Sequence, residues 1–157
     1  YGPATPETFD AWLSRNSNKK STLRSWFASL GEQIVEVRVE GETRYLLAEH
    51  EDELAATRPS RATHLLGAFD QFVLGPGTKD THMLAHEHRP LVSKAAGWIA
   101  PVLTQGGRIT GVWEMDDGNL VVTPFPGEQA PPSQVLEDAA ARLAAVHGSV
   151  KVTPRVD

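Results

Sequence analysis

The chain has 157 residues, of which 40 % are apolar and 22 % charged, enough apolar material for a globular core. It has no cysteine, which excludes disulfides, thiolate zinc sites and a cysteine nucleophile. The net charge is −5, from 15 Lys+Arg against 20 Asp+Glu, which argues against a free-standing basic nucleic-acid binder.

Thr5-Pro6-Glu7 is a helix-start signal, with Thr5 suited to the N-cap and Pro6 to the first helical position. Phe9, Trp12 and Leu13 then recur at helical spacing and predict a helix over about 6–14. After a short turn, Leu23, Trp26, Phe27 and Leu30 make the apolar stripe of a second helix over about 18–30, stopped at Gly31. The period then drops to two. Ile34, Val35, Val37 and Val39 form a strand, Glu40-Gly41-Glu42 a turn, and Thr43 to Ala48 the returning strand. Helix, tight turn, helix and hairpin is the winged-helix order, with the wing tip at Glu40-Gly41-Glu42. A winged helix normally opens with one further helix, so the chain is expected to start inside that domain, with Phe9, Leu13 or Trp26 left exposed.

His50 to Arg58 reads as an acidic linker or short helix ending at Pro59. The remainder is β-rich. Strands are predicted at 63–66, 69–74, 98–104, 108–115 and 119–124, with turns at Gln105-Gly106-Gly107 and Asp116-Asp117-Gly118. A helical stretch is predicted near 90–96. After the Pro-rich segment 129–133, Val135, Leu136, Ala139, Leu143 and Val146 mark an amphipathic helix, and 149–153 a last strand. The expected fold class is α+β: a partial winged helix over 1–58, then a small antiparallel β-barrel with a C-terminal helix over 59–157.

Several segments carry a family resemblance. Tyr1-Gly2-Pro3-Ala4-Thr5-Pro6-Glu7 opens the helix pair, Leu65-Leu66-Gly67-Ala68-Phe69-Asp70-Gln71-Phe72 stands at the first barrel strands, and Gly97-Trp98-Ile99-Ala100-Pro101-Val102 with Gly111-Val112-Trp113 at a later hairpin. In this order, over roughly 1–125, the chain resembles the winged-helix DNA-binding family of AlkZ/YcaQ-type DNA glycosylases. The resemblance implies a bacterial protein with tandem winged helices followed by a β-barrel, and in some members hydrolysis of the glycosidic bond of alkylated purines and unhooking of crosslinked DNA. The family's catalytic signature is a Gln-x-Gln pair. Here Gln33, Gln71, Gln105, Gln129 and Gln134 include no two separated by one residue, so no catalytic residue carries over. The chain thus looks like the C-terminal portion, with upstream winged helices and double-stranded DNA as expected partners.

Two segments are candidates for DNA contact. Lys19, Lys20, Ser21 and Arg24 begin the would-be recognition helix, where such helices address phosphates and base edges. Thr78, Lys79, Thr81 and His82 lie in a Gly-rich loop, where lysine neutralises a phosphate and hydroxyls donate to one. No third of the chain is basic, so these few cations are expected to act together on one surface, with sequence-independent contacts. Glu40 and Glu42 oppose this at the wing, and an alternative role is to brace the preceding domains without touching DNA. His82, His86 and His88 could be imagined as a metal site of a free-standing hydrolase, but three loop histidines are the favoured reading, and no metal or cofactor is expected. Asp70 is expected in a strand as a paired acid rather than a general base, and Trp98 and Trp113 as core residues rather than base-stacking platforms. With no run of 18 apolar residues and no opening signal segment, neither a membrane partner nor export is expected, and the location is read as cytoplasmic.

Overall fold

Residues 2–116, 119–147 and 154–156 are described by a computed structural model, and the fold is α+β. Two compact units divide the chain: Tyr1–Arg58 with Phe72–Gly77, and Pro59–Gln71 with Thr78–Asp157. The division is therefore not a single cut in the sequence.

In the first unit, α1 (Pro6–Ser14) and α2 (Lys20–Leu30) form where the apolar spacing puts them. Thr5 caps α1: its hydroxyl accepts from the Thr8 amide at 3.1 Å, while the Thr8 hydroxyl accepts from the Thr5 amide at 2.8 Å. Arg15 and Asn16 then take left-handed backbone conformations (φ 55° and 64°) that end the helix. The interhelical turn is held from inside by Asp10, a buried carboxylate that accepts from the Ser14 hydroxyl and from the Asn18 side-chain amide at 2.7 Å. Those two bonds, the Ser14 one first, hold its carboxyl below the ordinary carboxylate value.

Strands β1 (Ile34–Val39) and β2 (Glu42–Leu47) pair antiparallel from Ile34↔Leu47 to Val39↔Glu42. The two turn residues, Glu40 (φ 49°) and Gly41 (φ 89°), are both left-handed, as a two-residue hairpin demands. Ala4 pairs with Tyr45 through bonds of 2.9 and 2.8 Å, which adds the N-terminal segment to the β2 edge. Aromatic rings knit these elements: Phe9 on Phe27 at 5.7 Å, and Phe27 on Tyr45 at 5.3 Å. Leu23 is buried, whereas Leu13 (51 %) and Trp26 (41 %) stay exposed. The segment predicted as linker or short helix carries α3 (Glu51–Ala56).

The second unit is built on a sheet in the order β3-β4-β5-β6-β7, with β3 (Thr63–Leu66), β4 (Val102–Gln105), β5 (Arg108–Asp116), β6 (Asn119–Pro124) and β7 (Pro154–Val156). All neighbours are antiparallel except β6 and β7. Gly106 (φ 58°) and Gly107 (φ 83°) make the β4–β5 turn. Thr110 is an extra residue between Ile109, opposite Thr104, and Gly111, opposite Leu103, and so forms a bulge. Helix α6 (Ser133–His147) lays Leu136, Ala139 and Ala140 on Leu65, Leu103, Leu120 and Val122, with Trp113 and Leu143 packed at the margin. The Trp113 indole donates to the Leu66 carbonyl at 2.9 Å.

The structure corrects four local expectations. Residues 69–74 are not a strand: Gly67–Asp70 turn, Phe69 is left-handed (φ 59°), and α4 spans Gln71–Leu74. Asp70 accordingly lies half-buried in a turn, not in a strand. The strand predicted at 98–104 begins only at Val102, because Ala96 (φ 56°) and Gly97 (φ 76°) turn the chain just before Trp98. The helix near 90–96 is the single turn α5 (Arg89–Val92). The predicted turn residues Asp117 and Gly118, the helix stop at Gly148 and the strand at 149–153 lie outside the described residues.

Candidate nucleic-acid interface

Each candidate cluster belongs to one unit. In the first, Lys19 is the extended N-cap of α2 (ψ 141°) and its side chain makes no cap bond. Lys20 and Arg24 stand four residues apart and share a face. Ser21 is one position round from it. All four side chains are exposed, while Leu23 on another face is buried. The first turn of α2 contains no acidic residue. A helix start with two lysines and no carboxylate is favourable to an anion through both charge and dipole. At the hairpin tip, Glu40 and Glu42 are exposed.

In the second unit, the loop from Thr78 to His88 is ordered by its own polar residues. The Asp80 carboxylate accepts from the His82 amide at 2.9 Å and lies 3.0 Å from His82 Nδ1. The Arg89 Nε donates to the Thr78 hydroxyl at 3.3 Å. Met83, Leu84 and His88 are buried, the Ile109 amide donates to the Met83 carbonyl at 2.8 Å, and the His88 ring lies 4.6 Å from that of Phe125. Lys79 and Thr81 are exposed, whereas Thr78 and His82 are half-buried. Of the four loop candidates, Lys79 and Thr81 therefore present exposed side chains, while His82 is bonded to Asp80 and Thr78 to Arg89. The Asp-Thr-His spacing carried a signal for Asp80, since an Asp accepting from the amide two residues on is a local turn device. The Arg89 contact spans eleven residues and had no sequence signal.

The three loop histidines do not converge: His82 turns to Asp80 and His88 into the core against Phe125. Among the described residues, no group of three His, Cys, Asp or Glu is placed to hold a metal ion. No described helix is long and apolar enough to cross a membrane. A cleft of about 370 Å³ opens between β3 and α6, with His64, Asp70 and Arg142 at its polar wall and Leu66, Ala139 and Leu143 among its apolar lining. Arg142 is fixed there by donating to the Thr63 carbonyl at 2.9 Å. Trp98, expected in the core, is 49 % exposed.

The family model for AlkZ-like DNA glycosylases matches residues 1–146. This chain belongs to the AlkZ-like DNA glycosylase family. It is 53 % identical, over 99 % of its length, to an interstrand DNA cross-link repair glycosylase of Streptomyces sahachiroi. It is also similar to the solved structure of Streptomyces sahachiroi DNA glycosylase AlkZ, with a TM-score of 0.97, 52 % identity and 100 % of this chain covered. In both comparisons the AlkZ-like chain spans 42 % of the relative's length.

Proposed function

We propose that this chain is the duplex-DNA-binding part of an AlkZ-like glycosylase that repairs alkylated or crosslinked DNA, its first unit acting as a winged helix and its second as a barrel-like support. The observation that carries this reading is the family match over residues 1–146, joined to exposed cations in both units. Lys19, Lys20 and Arg24, with Ser21 donating beside them, contact phosphates from the start of α2. Lys79 and Thr81 contact them from the loop, with Thr78 and His82 at its base. These contacts are to backbone oxygens, so they position the duplex without reading its sequence. Base excision itself belongs to other residues, since the family's Gln-x-Gln pair does not occur here.

The test is a Lys19→Ala, Lys20→Ala, Lys79→Ala variant of the full-length protein. Each phosphate contact releases about 0.9 counterion, so the slope of log affinity against log salt becomes shallower by about 2.7. The loss is uniform across DNA sequences. An unchanged affinity and slope rejects the reading. It then favours a second one, in which the chain braces neighbouring domains without DNA contact, as the net charge of −5 and the exposed Glu40 and Glu42 at the hairpin tip suggest.

A further inference from the structure

Two aromatic side chains in the second unit are large, exposed and paired. Phe69 is 43 % and Trp98 49 % exposed, and their ring centroids are 5.1 Å apart at 85°. Both stand on turns with unusual backbone. Phe69 itself is left-handed (φ 59°), which is rare for a bulky residue, and its turn brings the Asp70 amide to 3.3 Å from the Gly67 carbonyl. Trp98 follows two left-handed residues, Ala96 and Gly97. Its carbonyl accepts from the Lys94 amide at 2.9 Å, and Ser93 bridges Ile99. Val92 and Ile99, on either side of this loop, are buried. The loop is thus anchored at both ends while its tip holds an indole in water. Rare backbone that keeps apolar rings outside a core suggests a binding role, because folding alone favours burying them.

We propose that Phe69 and Trp98 form a stacking platform for nucleobases that are out of the duplex stack. A perpendicular pair covers at most one face of each ring and leaves an aromatic face for a base. On the Trp98 side the charge suits DNA: residues 88–113 carry Arg89, Lys94 and Arg108 and no Asp or Glu, whereas Asp70 stands beside Phe69. Lys94 is exposed and joined to Trp98 through the backbone. Bases within an intact duplex offer no free face, so the ligand is DNA distorted by a bulge, gap or lesion. This inference rests on the proposed DNA-binding role and adds to it a preference for unstacked sites.

The experiment measures affinity of the full-length protein for an intact duplex and for the same duplex with a two-nucleotide bulge. Trp98→Ala and Phe69→Ala are expected to weaken binding to the bulged duplex by about tenfold or more, on the scale of one lost base–aromatic stack, with intact-duplex affinity and salt slope unchanged. Trp98→Phe should retain most of the bulge preference, whereas Trp98→Leu, apolar but without a π-face, should lose it. Equal affinities of wild type and both alanine variants for the bulged duplex overturn the platform. So does an equal loss on both duplexes, which marks the pair as covered by another part of the protein. If the wild type binds neither duplex, both this inference and the DNA-binding role fall. A salt-independent wild-type affinity with an intact bulge preference rejects only the phosphate contacts.

Discussion

Asp10 shows how one side chain can set the geometry of an interhelical turn. Its carboxylate accepts from Ser14 and Asn18 and so fixes the turn that precedes Lys19 and Lys20. Its carboxyl is held below the ordinary carboxylate value by those bonds. A carboxylate depressed in the folded state stabilises it fully above the unfolded-state value of about 3.9, and that contribution is lost as pH falls through the folded value. Asp10→Asn should therefore speed amide exchange of α1 and α2 relative to wild type at neutral pH, and the difference should shrink as the pH drops below about 4. A difference that is constant from pH 7 to pH 3 would show that the charge of Asp10 is not what holds the turn. Nothing in the local spacing marked Asp10 for this role, because its partners are a helical turn and eight residues away.

Element by element, the sheet depends on close backbone approach. Gly111 follows the Thr110 bulge and lies opposite Pro124, and a Cβ there would meet the Thr123 carbonyl oxygen at 2.7 Å and the Pro124 Cα at 3.0 Å. Both obstacles are backbone, so neither can swing aside. Gly111→Ala should destabilise the second unit by about 1–3 kcal/mol, the usual range for overpacking. The measurement is the shift of the denaturation midpoint at unchanged slope. An unchanged midpoint would mean that β5 and β6 separate at little cost. The elements that periodicity located well, α1, α2, β1, β2, β3 and β6, are those with a clear apolar period bounded by a cap or turn residue. The strand expected at 69–74 is absent, and the one expected at 98–104 is shortened to Val102–Gln105, each next to left-handed backbone. Short apolar runs look extended, but left-handed residues at Phe69 and at Ala96-Gly97 break the extension, and such a break at a non-glycine leaves no mark in composition.

For the whole molecule, belonging to the AlkZ-like family and covering 42 % of its relatives' length are separate facts with separate consequences. The family is that of the AlkZ-like DNA glycosylases, and under the proposed DNA-binding role a chain without the Gln-x-Gln pair is expected not to perform the excision by itself. Incubated with DNA carrying N7-alkylated guanine, the chain should release no free base above the spontaneous rate. Release above that rate would reveal a second way to cleave the bond and would direct attention to the cleft lined by His64, Asp70 and Arg142.

By itself, the sequence determined the α+β class, the helix pair and hairpin, the core face of α6 and the family. Each of these is written in local periodicity, capping residues or contiguous motifs, which act over a few residues and survive without knowledge of the fold. Tertiary structure decided which candidate side chains are free. Lys79 and Thr81 project because Asp80 and Arg89 tie down their neighbours, His88 is spent against Phe125, and Trp98 stands in water where its apolar surroundings in sequence suggested a core. Exposure depends on what packs from distant parts of the chain and on the hand of single backbone residues. Neither is encoded in the neighbours of the residue concerned.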